Sequence, residues 1–164
     1  MSKINLAIDI AIRAHAGQVD KAGKPYILHP LAVMTAVRDD GYGEDYQIVA
    51  VLHDVVEDSS VTLEEIGRLF GETVRDAVDL LTRRKDESYV EYIRRLRYSP
   101  IAKIVKLADL QDNLHPRRLY MLLNSPDPAL AGKARRLLAR YEKARELLLD
   151  QRSEPELASG RMEP

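Results

Sequence analysis

A histidine–aspartate pair lies inside an apolar run, and it is the feature that most constrains the fold of this chain. His53 and Asp54 follow the four apolar residues 49–52 and precede Val55 and Val56. Burying ionisable groups among apolar neighbours costs free energy unless the groups are paired or bind a metal ion. Any fold of this chain must therefore bring partners to the pair.

Two further apolar segments carry ionisable residues of the same kind. His29 follows the apolar residues 27–28, and Asp109 ends the mainly apolar segment 101–108. Together with the histidine–aspartate pair, these residues provide two imidazoles and two carboxylates. Such a donor set suits a divalent metal ion and hydrolytic chemistry.

The composition is that of a single globular domain. The chain has 164 residues, of which 45% are hydrophobic and 31% are charged. These values predict one domain over residues 1–150. The final segment, 151–164, has weak periodicity and contains two prolines. We expect it to form a flexible tail.

The charge, the hydropathy and the cysteine content restrict which molecules this protein is expected to bind and where it is expected to be located. The net charge of −1 argues against bulk attraction to nucleic acid, and no apolar run is long enough to cross a membrane. The chain has no cysteine, so disulfides and thiolate sites are excluded and a reducing cytoplasm is expected. An apolar helix face suits either the core or a homo-oligomer interface, and both alternatives stay open.

Helical periodicity extends through nearly the whole chain, and it predicts an all-α fold without strands. Turn signals at Gly41, Gly43 and the cluster 124–128 separate the segments, and Thr62 with Glu65 has the pattern of a capping box. The predicted helices cover about 3–16, 29–39, 45–56, 62–71, 72–81, 88–98, 100–113, 117–123 and 129–150.

Two acidic residues follow the histidine–aspartate pair at helical spacing. On a continuous helix, Glu57 lies four residues after His53, and Asp58 lies four residues after Asp54, which places them on shared faces. A metal-dependent hydrolase needs a nearby carboxylate to take or deliver a proton. We therefore predict Glu57 and Asp58 as the catalytic acid/base pair. The alternative is a structural polar network that ends a helix.

Other polar residues have two interpretations each. Asn113 lies four residues after Asp109 and either donates to a ligand beside the metal or caps the helix. Lys106 either pairs with a carboxylate or lies on the surface. Lys21 and Lys24 lie in a loop that either docks phosphate oxygens or is simply solvated.

With these segments in order, the chain resembles the HD superfamily of metal-dependent phosphohydrolases. More closely, it resembles the hydrolase domain of RelA/SpoT-type proteins and the small stand-alone alarmone hydrolases. The resemblance implies a compact all-α HD-domain helical bundle that holds one divalent ion, typically manganese. The matching stretches, within about residues 10–115, are AHAGQVDKAGKPYILHPLAV, VLHDVVEDS, LFGETVRDAV and VKLADLQDN.

The resemblance also implies a reaction and a role for each matching residue. The implied reaction removes the 3′-pyrophosphate from (p)ppGpp and gives GDP or GTP and pyrophosphate. Beyond what the resemblance implies, we expect Lys21, with Arg83, Arg84 or Lys85, to neutralise phosphate charge, and Tyr141 is a candidate to close the pocket. The implied metal ligands are His29, His53, Asp54 and Asp109, the acid/base pair is Glu57 and Asp58, and the substrate contacts are Lys21 and Asn113.

Two departures from the family pattern bear on the substrate. The family loop has arginine where this chain has Asp20, so the stacking of a cation on the base is lost. Asp20 would accept hydrogen bonds from guanine, or the pocket would admit adenine alarmones or other nucleotides. After the ligand Asp109, the arginine and histidine of the family are replaced within residues 110–112, whereas Asn113 is kept.

The sequence is also compatible with two other functions. One is an HD nucleotidase or phosphatase that acts on a deoxynucleoside monophosphate or on NADPH. The other is a non-catalytic, metal-bound regulatory module, and the presence of Glu57 and Asp58 argues against it because a pure sensor has no need of an acid/base pair.

Overall fold

The computed structural model describes residues 2–20, 23–116, 123–124 and 126–150, and these ranges confirm the predicted all-α class. They contain no strand, and a single antiparallel bridge between Val19 and Pro25 closes a loop. The helices are α1 (Lys3–Ala14), α2 (Leu28–Asp39), α3 (Glu44–Leu52), α4 (Val55–Asp58), α5 (Leu63–Phe70), α6 (Glu72–Leu81), α7 (Tyr89–Leu96), α8 (Pro100–Asn113) and α9 (Pro128–Leu149).

Three predictions concern residues outside the described ranges. These are most of the short helix at 117–123, the tail at 151–164, and the substrate contact Lys21. They stay predictions from the sequence.

Helix α3 is the centre of the bundle. Its second half, from Ile48 to Leu52, is fully buried, as expected for a helical segment that is apolar on every side. Helices α1, α2, α6 and α8 pack around it. The histidine–aspartate pair follows Leu52 directly, so the interior packing of α3 places this pair in the middle of the molecule.

Local sequence signals set the helix ends around this centre. The hydroxyl of Thr62 accepts the N–H of Glu65 at the start of α5, as the capping pattern predicts. Gly71 has φ of 99° and lies between α5 and α6, in the left-handed region that favours glycine. Ser88 and Glu91 form a complete capping box at the start of α7.

The predicted continuous helix over 45–56 is wrong at its most important point. Helix α3 ends at Leu52, His53 and Asp54 form a turn, and α4 starts at Val55. The Nδ1–H of His53 donates to the carbonyl oxygen of Ala50 at 2.7 Å. A continuous helix would use that carbonyl for the N–H of Asp54, so the imidazole replaces a main-chain hydrogen bond and the helix breaks.

Helix α9 forms one side of the bundle and packs against α7 and α8. Its buried positions are mainly small, including Ala131, Ala134 and Ala144, which lets its backbone approach its neighbours closely. Among the described residues, no helix is both long enough and apolar enough to cross a bilayer.

Candidate metal centre and its cavity

Three buried side chains from separate elements converge at the end of α3. His29 from α2, His53 from the turn and Asp109 from α8 each offer one ligand atom, and these atoms lie within 4.8 Å of one another. Oδ1 of Asp109 lies 3.0 Å from Nε2 of His29 and 3.8 Å from Nε2 of His53. The packing of α2, α3 and α8 therefore assembles the cluster.

Asp54 adds a second carboxylate to this cluster. Its Oδ2 lies 3.1 Å from Nε2 of His53 and 3.9 Å from Nε2 of His29. The hydroxyl of Tyr26 donates to the same oxygen at 2.5 Å. The structure thus brings together all four residues that the sequence predicts as metal ligands.

One imidazole atom in the cluster lacks the hydrogen bond that burial demands. Nε2 of His53 is buried and makes no hydrogen bond of acceptable geometry in the described part of the chain, although Oδ2 of Asp54 lies 3.1 Å from it. Buried polar atoms are rarely left in this state unless they bind a ligand or an ion. Two imidazole nitrogens and two carboxylates around this atom fit a divalent cation.

Hydrogen bonds to the far side of each ring orient the two imidazoles. Nδ1 of His29 donates to Oδ2 of Asp112 at 2.7 Å, and Nδ1 of His53 donates to the carbonyl oxygen of Ala50. Both rings therefore present Nε2 to the cluster, which is the arrangement that metal-ligating histidines require.

Asp109 is fixed by two neighbours on its own helix. Nζ of Lys106 lies 2.6 Å from Oδ2 of Asp109, and Nδ2 of Asn113 donates to Oδ1 at 2.5 Å. Lys106 thus pairs with the carboxylate, and only 12% of its side chain is exposed. Burial opposes ionisation, but the ion pairs with Lys106 and His29 hold the pKa of Asp109 well below its usual range.

The pKa values of both imidazoles are raised in the metal-free protein, which favours their protonated forms. Burial lowers the pKa of His29, but its hydrogen bonds to Asp109 and Asp112 outweigh burial and raise the pKa to about 9. Burial likewise opposes the charged form of His53, but Asp54 raises the pKa of this ring. A cation that binds here must displace these protons.

The two predicted acid/base residues differ in their position. Glu57 lines the cavity beside the cluster, and its Oε2 accepts the backbone N–H of Arg83 at 3.3 Å. Both residues are exposed, but Asp58 is not among the residues that line this cavity. Partial burial and the nearby charge of Asp54 raise the pKa of both carboxyl groups above their usual values, which favours proton uptake by either group.

The cluster forms one side of a cavity of about 420 Å³. Several residues named from the sequence line it, including Asp20, Asn113 and Tyr141. One oxygen of Asp20 also accepts the backbone N–H of Lys24 at 3.0 Å. The other described residues of the lining are Val19, Tyr26, His29, Asp54, Glu57, Leu81, Arg83, Tyr89, Tyr92, Lys106, Asp109, Leu137 and Arg140.

Sequence reasoning missed several residues of the site. Asp112 has the one signal that was available, because it lies one helical turn after Asp109 and so shares its face. Tyr26 and Tyr89 carry no such signal, since each reaches the cavity from an element whose position depends on the tertiary packing.

Comparison with known proteins places this site in a family. A probable GTP pyrophosphokinase from Mycobacterium leprae is 31% identical over 147 residues, which are 84% of this chain and 18% of that protein. A guanosine-3′,5′-bis(diphosphate) 3′-pyrophosphohydrolase from Aquifex aeolicus is 34% identical over 68% of this chain and 17% of its own length. The chain therefore spans less than a fifth of these curated relatives.

A solved structure and a family model also match this chain. The structure, described as a metazoan ortholog of SpoT that hydrolyzes ppGpp and plays a role in starvation responses, has a TM-score of 0.77 and 28% sequence identity, and covers 96% of this chain and 91% of that chain. The HD domain model matches residues 7–115. This match includes every residue of the cluster from His29 to Asp109, and the chain therefore belongs to the HD domain family.

Proposed function

We propose that this protein is a metal-dependent hydrolase that removes the 3′-pyrophosphate from guanosine or adenosine alarmones such as (p)ppGpp and (p)ppApp. The products are the nucleoside 5′-diphosphate or 5′-triphosphate and pyrophosphate. The observation that carries the proposal is the convergence of two histidines and two aspartates beside a cavity that Glu57 lines. The activity named for the Aquifex aeolicus relative and for the metazoan structure supports the choice of substrate.

Manganese is the metal that we propose, held by His29, His53, Asp54 and Asp109. The site offers nitrogen and carboxylate donors. The chain has no cysteine, so the site has no thiolate ligand that would favour a softer metal. When bound, the ion polarises a phosphoryl group and lowers the pKa of a water molecule.

Glu57 is the group that we propose for proton transfer. Burial and the nearby charges of Asp54 and Asp58 raise its pKa, although the hydrogen bond from Arg83 opposes this. A carboxylate in this state accepts a proton from the attacking water and returns it to the leaving group. Asp58 contributes its charge to this effect from a position outside the cavity lining.

Polar side chains along the cavity are proposed to hold the rest of the nucleotide. Asn113 holds the carboxylate of Asp109 and contacts the substrate beside it. Asp20 lies on the cavity, where a carboxylate accepts the N1–H and N2–H of guanine, which adenine lacks. Lys21, predicted from the sequence, would neutralise phosphate charge.

Product analysis with a substrate panel tests the proposed function. The manganese-loaded protein is incubated with ppGpp, ppApp, deoxynucleoside monophosphates and NADPH, and the released groups are identified. We expect pyrophosphate and a nucleoside diphosphate from at least one alarmone. Release of orthophosphate from the other nucleotides alone would indicate the nucleotidase alternative. Metal binding without turnover of any compound would indicate a non-catalytic module.

Two variants connect the activity to the site. Asp54→Ala removes a predicted ligand, and we expect it to lose metal and activity together. Asp45→Ala changes an exposed aspartate on α3 and serves as the matched control, with both properties retained. If Asp54→Ala stays fully active, the assignment of the metal centre is wrong.

A third variant tests the base preference. Asp20→Arg restores the residue type of the family loop, and we expect the ratio of kcat/KM for ppGpp to that for ppApp to change. An unchanged ratio would remove Asp20 from the recognition of the base.

A cytoplasmic location and a homo-oligomeric state are further proposals from the sequence. Light scattering of the purified protein measures its mass in solution, and a mass near the 18.6 kDa of one chain would contradict the oligomer.

A further inference from the structure

A cation and two aromatic rings line the part of the cavity that α7 and α9 provide. Tyr89 begins α7, and Arg140 and Tyr141 lie on α9. The guanidinium carbon of Arg140 lies 4.8 Å from the centre of the Tyr89 ring and 5.7 Å from that of Tyr141. Both distances are within the range of cation–π interactions, which hold the guanidinium at the cavity.

Arg140 differs from most of the arginines on this side of the molecule. Arg84 pairs with Asp79 at 2.7 Å, and Arg95 pairs with Glu87 at the same distance. In the described part of the chain, Arg140 has no ion pair and no hydrogen bond, and its contacts are the two aromatic rings. Its N–H groups are therefore available to an anion that enters the cavity.

The hydroxyl of Tyr89 is a second donor without a partner. It is buried and has no hydrogen bond to any described residue. Burial raises the pKa of Tyr89, so the hydroxyl stays protonated and donates at neutral pH. A buried hydroxyl without a partner is rare in a native structure and requires an explanation.

The two donors are suited to a phosphate group. Neither Arg140 nor the protonated Tyr89 offers a negative charge, whereas Asp54 and Asp109, which line the same cavity, repel anions unless a metal is bound. A cavity of about 420 Å³ is far larger than one phosphate group needs. The proposed substrates carry phosphate at two positions of the ribose, and only one of them reacts at the cluster.

We propose that Tyr89 and Arg140 bind the 5′-phosphate of the substrate, the one that is not hydrolysed. This inference rests on the proposed function for the identity of the nucleotide. The assignment makes Tyr89 and Arg140 substrate-binding residues that select nucleotides with phosphate at both the 3′ and the 5′ position.

Kinetics of Arg140→Gln and Tyr89→Phe test this subsite. We expect each variant to raise KM for ppGpp about tenfold, as the loss of one charge-assisted hydrogen bond does, with little change in kcat. Arg145→Gln, an exposed arginine on the same helix that does not line the cavity, is the matched control and should behave as the wild type. Unchanged KM values in both variants would overturn the proposal.

A substrate without the 5′-phosphate distinguishes the loss of phosphate binding from general damage to the site. Guanosine 3′-diphosphate has a 5′-hydroxyl, so we expect the wild type and both variants to hydrolyse it equally. Tyr89→Phe removes a hydroxyl without a partner, so the thermal stability of the protein should not fall. An equal loss with both substrates would indicate a general disturbance of the site and would contradict the subsite.

A binding measurement distinguishes this proposal from the proposed function. Titration calorimetry compares guanosine 3′,5′-bisphosphate with guanosine 3′-monophosphate on the manganese-loaded protein. If no alarmone is hydrolysed but Arg140→Gln weakens only the bisphosphate about tenfold, the subsite stands and the proposed reaction fails. If alarmones are hydrolysed and Arg140→Gln binds both ligands as the wild type does, the reaction stands and the subsite fails.

Discussion

Oδ2 of Asp112 accepts the Nδ1–H of His29 at 2.7 Å, while Oδ1 of Asp109 lies 3.0 Å from Nε2 of the same ring. One turn of α8 therefore supplies carboxylates to both nitrogens of a single imidazole. Asp112 fixes the tautomer of the ring. Asp109 faces the other nitrogen of the ring, and both Asp109 and His29 are proposed metal ligands. A carboxylate such as Asp112, which contacts the ring nitrogen that does not face the metal site, orients a ligating histidine and increases its basicity.

Asp112→Asn should weaken metal binding without removing a ligand. The amide accepts a weaker hydrogen bond than the carboxylate and brings no charge, and changes of this type reduce metal affinity by about 10- to 100-fold. Titration calorimetry with manganese measures the effect. Gln111→Ala, at an exposed position of the same helix, is the control. A manganese affinity equal to that of the wild type would show that the hydrogen bond between Asp112 and His29 does not contribute to metal binding.

Metal affinity should increase with pH until His29 is deprotonated. Because the pKa of His29 is raised from 6.5 to about 9, binding at neutral pH displaces a proton, and the affinity should rise about tenfold per pH unit for each proton displaced. Calorimetry in buffers of different ionisation enthalpy counts these protons. A proton count of zero at pH 7 would contradict the prediction.

The raised pKa of His29 also affects how the stability of the metal-free protein depends on pH. A histidine whose pKa is higher in the folded state stabilises the fold fully below the unfolded value, here 6.5, and this contribution is lost as pH rises toward about 9. The thermal midpoint of the metal-free protein should therefore include a contribution that decreases over this pH range. His29→Asn, which cannot titrate, should lack that contribution.

Lys106→Met should destabilise the metal-free protein more than the metal-loaded protein. The substitution leaves the buried carboxylate of Asp109 without the cation that lies 2.6 Å from it, and breaking a buried ion pair costs about 3 kcal/mol. A bound divalent ion would compensate for part of this loss. Urea unfolding with and without manganese measures both values. Lys103→Met on the same helix is the control, and an equal loss in the two states would contradict the explanation.

Glu57→Gln should reduce turnover more than Asp58→Asn does. Both residues are exposed, but Glu57 lines the cavity and Asp58 does not. Loss of a general acid/base lowers kcat by about 10²- to 10⁴-fold, and metal binding should be retained because neither residue lies in the cluster. Steady-state kinetics and calorimetry on both variants check this. If Asp58→Asn has the larger effect on kcat, the roles of the two residues are reversed.

Much of the helical architecture follows from local sequence. Periodicity and capping residues predict the start and end of α6 and α8 to the residue, because a cap and the hydrogen bonds of a helix turn involve neighbours within four positions. The apolar run 48–52 is buried at the centre of the bundle, as expected for a helical segment without a polar face.

The four proposed ligands are recognisable from sequence for a similar reason. Each is an ionisable residue at the end of an apolar segment, so each needs a partner in the interior. The sequence by itself therefore determined the class of fold and the candidate ligand set.

Only the tertiary structure decided how these groups are arranged. The break in the helix at His53 depends on an imidazole that competes for the carbonyl of Ala50, and helical spacing alone does not reveal this competition. Likewise, Asp112 reaches His29 across a separation of 83 positions, and Arg140 meets Tyr89 from a different helix. Such contacts depend on how helices pack in three dimensions, a property that no local pattern encodes.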